Sequence, residues 1–186
     1  MILIVAFASL SAAADAHAQA LTPLPFRHGE IAFPLRASKV KDFVGHVTAL
    51  RAEFKGEDLA GVHGFLELRV ADMHTGIGMR DTHMRLAMRA DSFPTIRFEL
   101  DGVDPGAARG DTIQVVFRGR LTIRGVTRSI RVPGSVVLRP GSIDVIASTP
   151  IDMREYSIEP PTRFFGAIRV QPATTVTAML SFGGAD

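Results

Sequence analysis

Residues 111–123 read DTIQVVFRGRLTI, and the order of their side chains decides the fold class. Ile113, Val115, Phe117, Gly119, Leu121 and Ile123 share one parity, while Gln114, Arg118, Arg120 and Thr122 share the other, with Val116 the exception. An extended chain sends successive side chains to opposite faces. The alternation therefore describes a strand with one dry face and one wet face, as in an antiparallel sheet covering a core.

The same parity recurs on both sides of this stretch. Val62, Gly64, Leu66, Leu68 and Val70 alternate with His63, Glu67 and Arg69, and Ile96, Phe98 and Leu100 with Arg97, Glu99 and Asp101. Further on, Val126, Ile130, Val132, Val136 and Leu138 oppose Arg131, Ser135 and Arg139. Ile143, Val145, Ala147 and Ile151 oppose Asp144, Ser148 and Asp152, and Thr174, Val176, Ala178, Leu180 and Phe182 oppose Thr175, Thr177 and Ser181. Two less regular runs, about residues 30–39 and 43–55, complete eight strands. Turn signals lie between the runs at Lys55-Gly56, Asp104-Pro105-Gly106, Arg124-Gly125 and Pro140-Gly141-Ser142. The expectation is an all-β chain, an eight-stranded antiparallel meander closed into a barrel so that no sheet edge is left open.

One segment departs from the pattern: TGIGMRDTHMRLAMRADSFPTIRF, residues 75–98. Residues 80–90 are good helix formers with Met84, Ala87 and Met88 at helical spacing, so a short helical insertion is expected there. Extended structure resumes after Pro94.

The chain begins with an apolar run from Ile2 to Ala14, followed by Ala16-His17-Ala18, the small-x-small pattern of a signal-peptidase site. Residues 1–18 are therefore expected to be a signal peptide and residues 19–186 a single domain, although the opening lacks the usual Lys or Arg. The run is shorter than the roughly 20 residues that cross a bilayer. Without residues 1–18 the chain has 21 bases against 18 acids, since only Asp15 is lost from the 19 acids, a net charge of +3. That mild, dispersed charge does not point to nucleic acid. There is no cysteine, hence no disulfide and no thiolate chemistry, and no tryptophan. A transmembrane barrel would need aromatic girdles, so stable membrane insertion is not expected.

Arg80, Asp81 and His83 invite a hydrolytic reading, with His83 as base and Asp81 orienting it. No G-x-S-x-G elbow and no cysteine supplies a nucleophile. His74 and His83 stand nine residues apart, and His46 and His63 lie on neighbouring runs; neither spacing is that of a zinc site. An equally simple reading makes Arg80 and Asp81 an ion pair that pins the helix over the barrel end.

Four segments carry a resemblance: TG-x3-RD-x-HMR (75–85), FPTIRF (93–98), GRLTIRGVTRSI (119–130) and TPIDMREYSI (149–158). In this order and spacing they resemble the successive signatures of the YceI-like family, over about residues 27–182. The resemblance implies a lipocalin-like barrel, exported to the periplasm or secreted. It also implies that the barrel holds a long aliphatic ligand such as an isoprenoid quinone or a polyprenyl phosphate. No other cofactor and no metal is implied.

On that reading the interior residues Phe54, Leu66, Leu68, Ile96, Phe98, Phe117, Leu121, Ile130, Val132, Val176 and Leu180 would wall the ligand, with the ring of Tyr156 beside them and its hydroxyl kept wet. Arg80, Asp81, His83 and Arg154 would stand at the cavity mouth, where a guanidinium fork suits a carbonyl or phosphate head. Alternation alone equally allows those residues to fill the barrel as a solid core. The expectation is thus a binding protein rather than an enzyme. The alternatives are an enzyme or stress factor acting on such a lipid through Asp81 and His83, or a filled barrel acting through a protein partner; a homodimer is left open.

Overall fold

The alternating runs pair edge to edge in the computed structural model, which describes residues 24–160, 162–163 and 168–184. The predicted leader, residues 1–18, lies outside the described residues. In chain order the elements are β1 (Phe26–Leu35), β2 (Phe43–Lys55), β3 (His63–Arg69), α1 (Gly78–Met88), β4 (Thr95–Arg109), β5 (Thr112–Ile123), β6 (Val126–Arg139) and β7 (Ser142–Asp152). A two-stranded excursion, β8 (Thr162–Arg163) and β9 (Ile168–Arg169), precedes β10 (Ala173–Gly183). Strands β1 to β7 pair antiparallel with their sequence neighbours, β7 pairs with β10, and β10 returns to β1. That last seam, running from Phe26↔Phe182 to Ala32↔Thr177, closes the eight-stranded barrel.

The β5–β6 connection shows how local chemistry fixes register. Arg124 (φ 49°) and Gly125 (φ 75°) both take left-handed backbone, and Ile123 pairs with Val126 across them. This is a two-residue turn of the kind whose twist matches that of paired strands.

Asp104-Pro105-Gly106, expected to be a turn, instead lies inside β4. The reversal falls at Gly110 (φ 55°), and the β4–β5 register shifts between Pro105 and Ala108. Pro105 is tolerated because β3 pairs with β4 only as far as Leu100, so no neighbour on that side needs its missing N–H. The first strand spans Phe26–Leu35 rather than 30–39, and the left-handed turn at Lys39 (φ 60°) ends extended structure before β2.

Gly119, on the dry face of β5, is buried beneath the ring of Phe98. A Cβ there would stand 2.7 Å from Phe98 Cζ and would also meet the Glu99 carbonyl oxygen.

Helix α1 lies between β3 and β4 and so covers one end of the barrel. It spans Gly78–Met88, slightly earlier than the expected 80–90, because Arg89 turns left-handed (φ 52°) and ends it. The expected Arg80–Asp81 ion pair does not form. Asp81 is buried and accepts hydrogen bonds from the Thr75 backbone N–H (2.7 Å) and the Thr75 hydroxyl (2.6 Å). The Arg80 guanidinium instead lies 3.8 Å from the Phe43 ring centroid, a cation–π contact to the start of β2. A backbone bridge between His46 and His74 holds the segment before α1 to β2 (2.8 and 2.9 Å).

The wet face carries a ladder of charges. Arg97 reaches Glu67 (3.1 Å) and Glu99 (3.3 Å), Arg120 reaches Glu99 (3.0 Å), and Asp104 joins Arg118 and Arg131 (both 2.7 Å). Exposed pairs of this kind each contribute little, because water screens them. The ladder marks this face as built for water. No helix among the described residues is long and apolar enough to cross a membrane.

Two substitutions test this account. Gly119→Ala should lower stability by about 1–3 kcal/mol in urea denaturation, because the clash falls on a neighbouring strand's backbone; an unchanged midpoint would refute the close approach. Asp81→Ala should cost about 1–3 kcal/mol at pH 7 by leaving both Thr75 donors unmatched. The Thr75 hydroxyl bond, opposed by burial and aided by the Thr75 N–H, holds the Asp81 carboxyl below the usual carboxylate range. The wild-type advantage is therefore full above the ordinary value of about 3.9 and disappears as pH falls through the depressed one. Denaturation curves at pH 7 and in strong acid should show that loss.

Candidate functional site

Closing an eight-stranded sheet leaves a lumen, and here side chains do not fill it. A cavity of about 700 Å³ runs from α1 to the β2–β3 loop. Each barrel strand contributes to its wall: Ile31, Val47, Leu66, Phe98, Phe117, Val132, Val145 and Val176 come from β1 to β7 and β10 in turn. Met84, Ala87 and Met88, the apolar face of α1 expected from spacing, roof one end. At the other end Phe182 packs against Phe26 and Phe54, each pair of ring centroids 5.6 Å apart.

Every predicted interior residue except Tyr156 lines this cavity. Phe54, Phe98, Phe117, Leu121, Ile130, Val132 and Val176 are only half-buried although they point inward. The remaining exposed area of these side chains faces the lumen. That distinguishes a hollow barrel from a filled one, whose inward residues would cover one another. Tyr156 is the exception: it is 1% exposed and packs in the core beside the lumen rather than on its wall. Burial pushes its hydroxyl pKa up, with Glu155 adding to the effect and Arg128 opposing it. Its hydroxyl is therefore not the wet tip expected from the sequence.

The polar residues on the wall are Lys55, Thr75, Arg80, His83, Thr149 and Thr174. Of the four predicted mouth residues, Arg80 and His83 line the cavity beside the first turns of α1. Asp81 does not, because its carboxylate is turned onto Thr75. Arg154 does not either: it grips Asp152 through Nη2–Oδ2 (2.6 Å) and Nε–Oδ1 (3.0 Å). That bond, helped by the Arg154 backbone N–H, holds the Asp152 carboxyl below its usual range.

Asp81 and His83 are not hydrogen-bonded to each other among the described residues; both Thr75 donors go to Asp81 Oδ1. No group of three His, Asp or Glu among the described residues converges to hold a metal ion. Sequence reasoning missed Val40, Phe43, Thr75, Ile77 and Met79, which the β1–β2 loop, β2 and the lid segment bring to the lumen. Loop residues carry no period, so nothing in the sequence marked Val40 or Ile77 as wall.

Solved structures with the same architecture follow from this geometry. BcnA of Burkholderia cenocepacia superposes with a TM-score of 0.66 at 16% identity, over 82% of this chain and 95% of its own. A polyisoprenoid binding domain from Saccharophagus degradans, implicated in plant cell wall breakdown, gives 0.67 at 16% identity, over 87% and 99%. The YceI protein of Campylobacter jejuni gives 0.57 at 13% identity, over 73% and 81%. At these identities the likeness is one of fold. No functionally curated protein matches the chain in sequence. The profile of the YceI-like domain, in contrast, matches residues 24–182, the barrel from before its first strand to within one residue of the end of its last. The chain belongs to the YceI-like domain family.

Proposed function

We propose that this protein holds one long-chain amphiphilic lipid in its lumen, an isoprenoid quinone or polyprenyl compound by chemistry, and acts outside the cytoplasm as its carrier or sequestering factor. The observation that carries the reading is the open, apolar lumen of about 700 Å³, within the usual range of small-molecule sites. At about the 30 Å³ that a water occupies in the liquid, it has room for on the order of twenty methylene-sized groups. Burying a dozen of them would gain on the order of 10 kcal/mol before the cost of ordering a flexible tail. Tight binding then needs little from polar contacts, which suits a wall with so few of them.

The polar residues indicate how the ligand lies. Thr75, Arg80 and His83 gather at the α1 end against Lys55 alone at the far end, so the head group rests by α1 and the tail runs toward the rings of Phe54 and Phe182. Arg80 keeps its guanidinium against Phe43 and can still offer N–H donors to a carbonyl or phosphate oxygen. The likeness to a polyisoprenoid binding domain supports the ligand class. Export is supported by the leader-like residues 1–18.

Mass spectrometry of lipid extracted from purified protein should find one long-chain species in stoichiometric amount, or the apoprotein should take one up when offered quinones. Persistent absence in both would refute the carrier. Phe117→Arg should abolish retention and lower stability by several kcal/mol, by placing an unpaired charge against the lumen. Leu121→Trp, whose added bulk goes into empty space, should keep the fold and displace the lipid. If the Trp variant binds as wild type does, the lumen is not the site.

A further inference from the structure

The rim of the lumen at the α1 end is apolar where an opening to water should be polar. Three cavity-lining residues are also exposed large hydrophobics: Val40 (42%), Ile77 (50%) and Met79 (74%). Scattered exposed hydrophobics are ordinary, but these three border one cavity. Val40 belongs to the β1–β2 loop, and Ile77 and Met79 to the start of α1; Arg80 on Phe43 joins the two sides. The loop is a fixed platform rather than a free one, because Ala37 bridges to Val170 and the Ser38 N–H donates to the Arg169 carbonyl (2.9 Å).

The charges on the β1–β2 loop are mainly cationic. Residues 36–43 contribute Arg36, Lys39 and Lys41, all exposed, against Asp42, which lies 4.0 Å from Arg36. The lid segment, residues 75–83, contributes Arg80, while its one acid, Asp81, is turned inward onto Thr75. Of the other acids at this end, Asp72 and Asp152 face Arg69 and Arg154, while Asp91 after α1 and Glu155 after β7 are exposed. Arginine outnumbers lysine 18 to 3 in this chain, yet two of the three lysines flank Val40. A lysine stem lies along apolar material while its ammonium reaches headgroups. An apolar tip set in cations is the pattern of a surface that sits in the interface of a bilayer.

We infer that the α1 end of the barrel docks on anionic membrane surfaces, with Val40, Ile77 and Met79 entering the interface and Lys39 and Lys41 meeting lipid phosphates. The mouth then opens directly onto the membrane from which a lipid would be drawn. The inference goes beyond lipid holding and is tested without it.

The probe is co-sedimentation of delipidated protein with vesicles of phosphatidylglycerol and phosphatidylethanolamine, or of phosphatidylcholine alone, none containing isoprenoid. The protein should bind the anionic vesicles and not the zwitterionic ones. Replacing Lys39 and Lys41 together by glutamine should weaken binding about 25-fold, at roughly fivefold per cation, and Met79→Glu at least tenfold, with both variants keeping the wild-type circular dichroism and Tm. Equal binding to both vesicle types, binding that neither variant changes, or no binding at all would overturn the inference. So would light scattering that shows self-association without vesicles which Met79→Glu dissolves, because the rim would then be covered by a second copy. Lipid retention by the Lys39→Gln, Lys41→Gln protein, read by extraction, reports on the lumen separately.

Discussion

The structure depends on one seam. When β10 pairs with β1, the sheet has no edge, and one face of every strand must look at the same enclosed space. Eight strands set a circumference that side chains can either fill or leave open. Here the inward set is largely Val, Ile and Leu, and even with Phe33, Phe43, Phe54, Phe98, Phe117 and Phe182 among them it leaves the middle open. The hollow is thus a matter of side-chain length against a fixed diameter. It costs stability, because inward residues give up contacts they would make in a packed core.

That cost is offset elsewhere. The outward parity of β2 to β6 carries linked ion pairs, and two guanidiniums, Arg51 and Arg97, lie over the Phe65 ring at 5.0 and 3.9 Å. Individually these are small, but with the continuous backbone ladder they hold the strands from outside, where no ligand needs room. The lid is held in the same spirit. Asp81, Arg80 and the His46–His74 bridge fasten the α1 segment at separate points while leaving its methionines free to face the lumen.

Most of the barrel was legible because period-two alternation maps directly onto inside and outside. Ile113 to Ile123 and Thr174 to Phe182 fall on the faces their parity predicts. What failed did so for definite reasons. Asp104-Pro105-Gly106 has turn chemistry, but β3 ends before reaching it, so the proline sits harmlessly in a strand. Arg80 and Asp81 look like partners as neighbours, yet adjacent helix positions face different ways, and each found a nearer match in Phe43 and Thr75. Arg154 was drawn to Asp152, two residues back. Tyr156 lies in a short helical turn that carries its ring past the wall into the core. Whether the lumen was hollow could not be read from parity, because a packed interior and an open one use the same alternating code.

The cluster of Phe26, Phe54 and Phe182 has a kinetic meaning. Under the proposed function, rings packed at the base favour the α1 end as the way in and out, so a guest would arrive tail foremost and depart head foremost. Exchange of one cargo for another would then be sequential, its rate set by how fast the resident escapes rather than by how much newcomer is waiting outside.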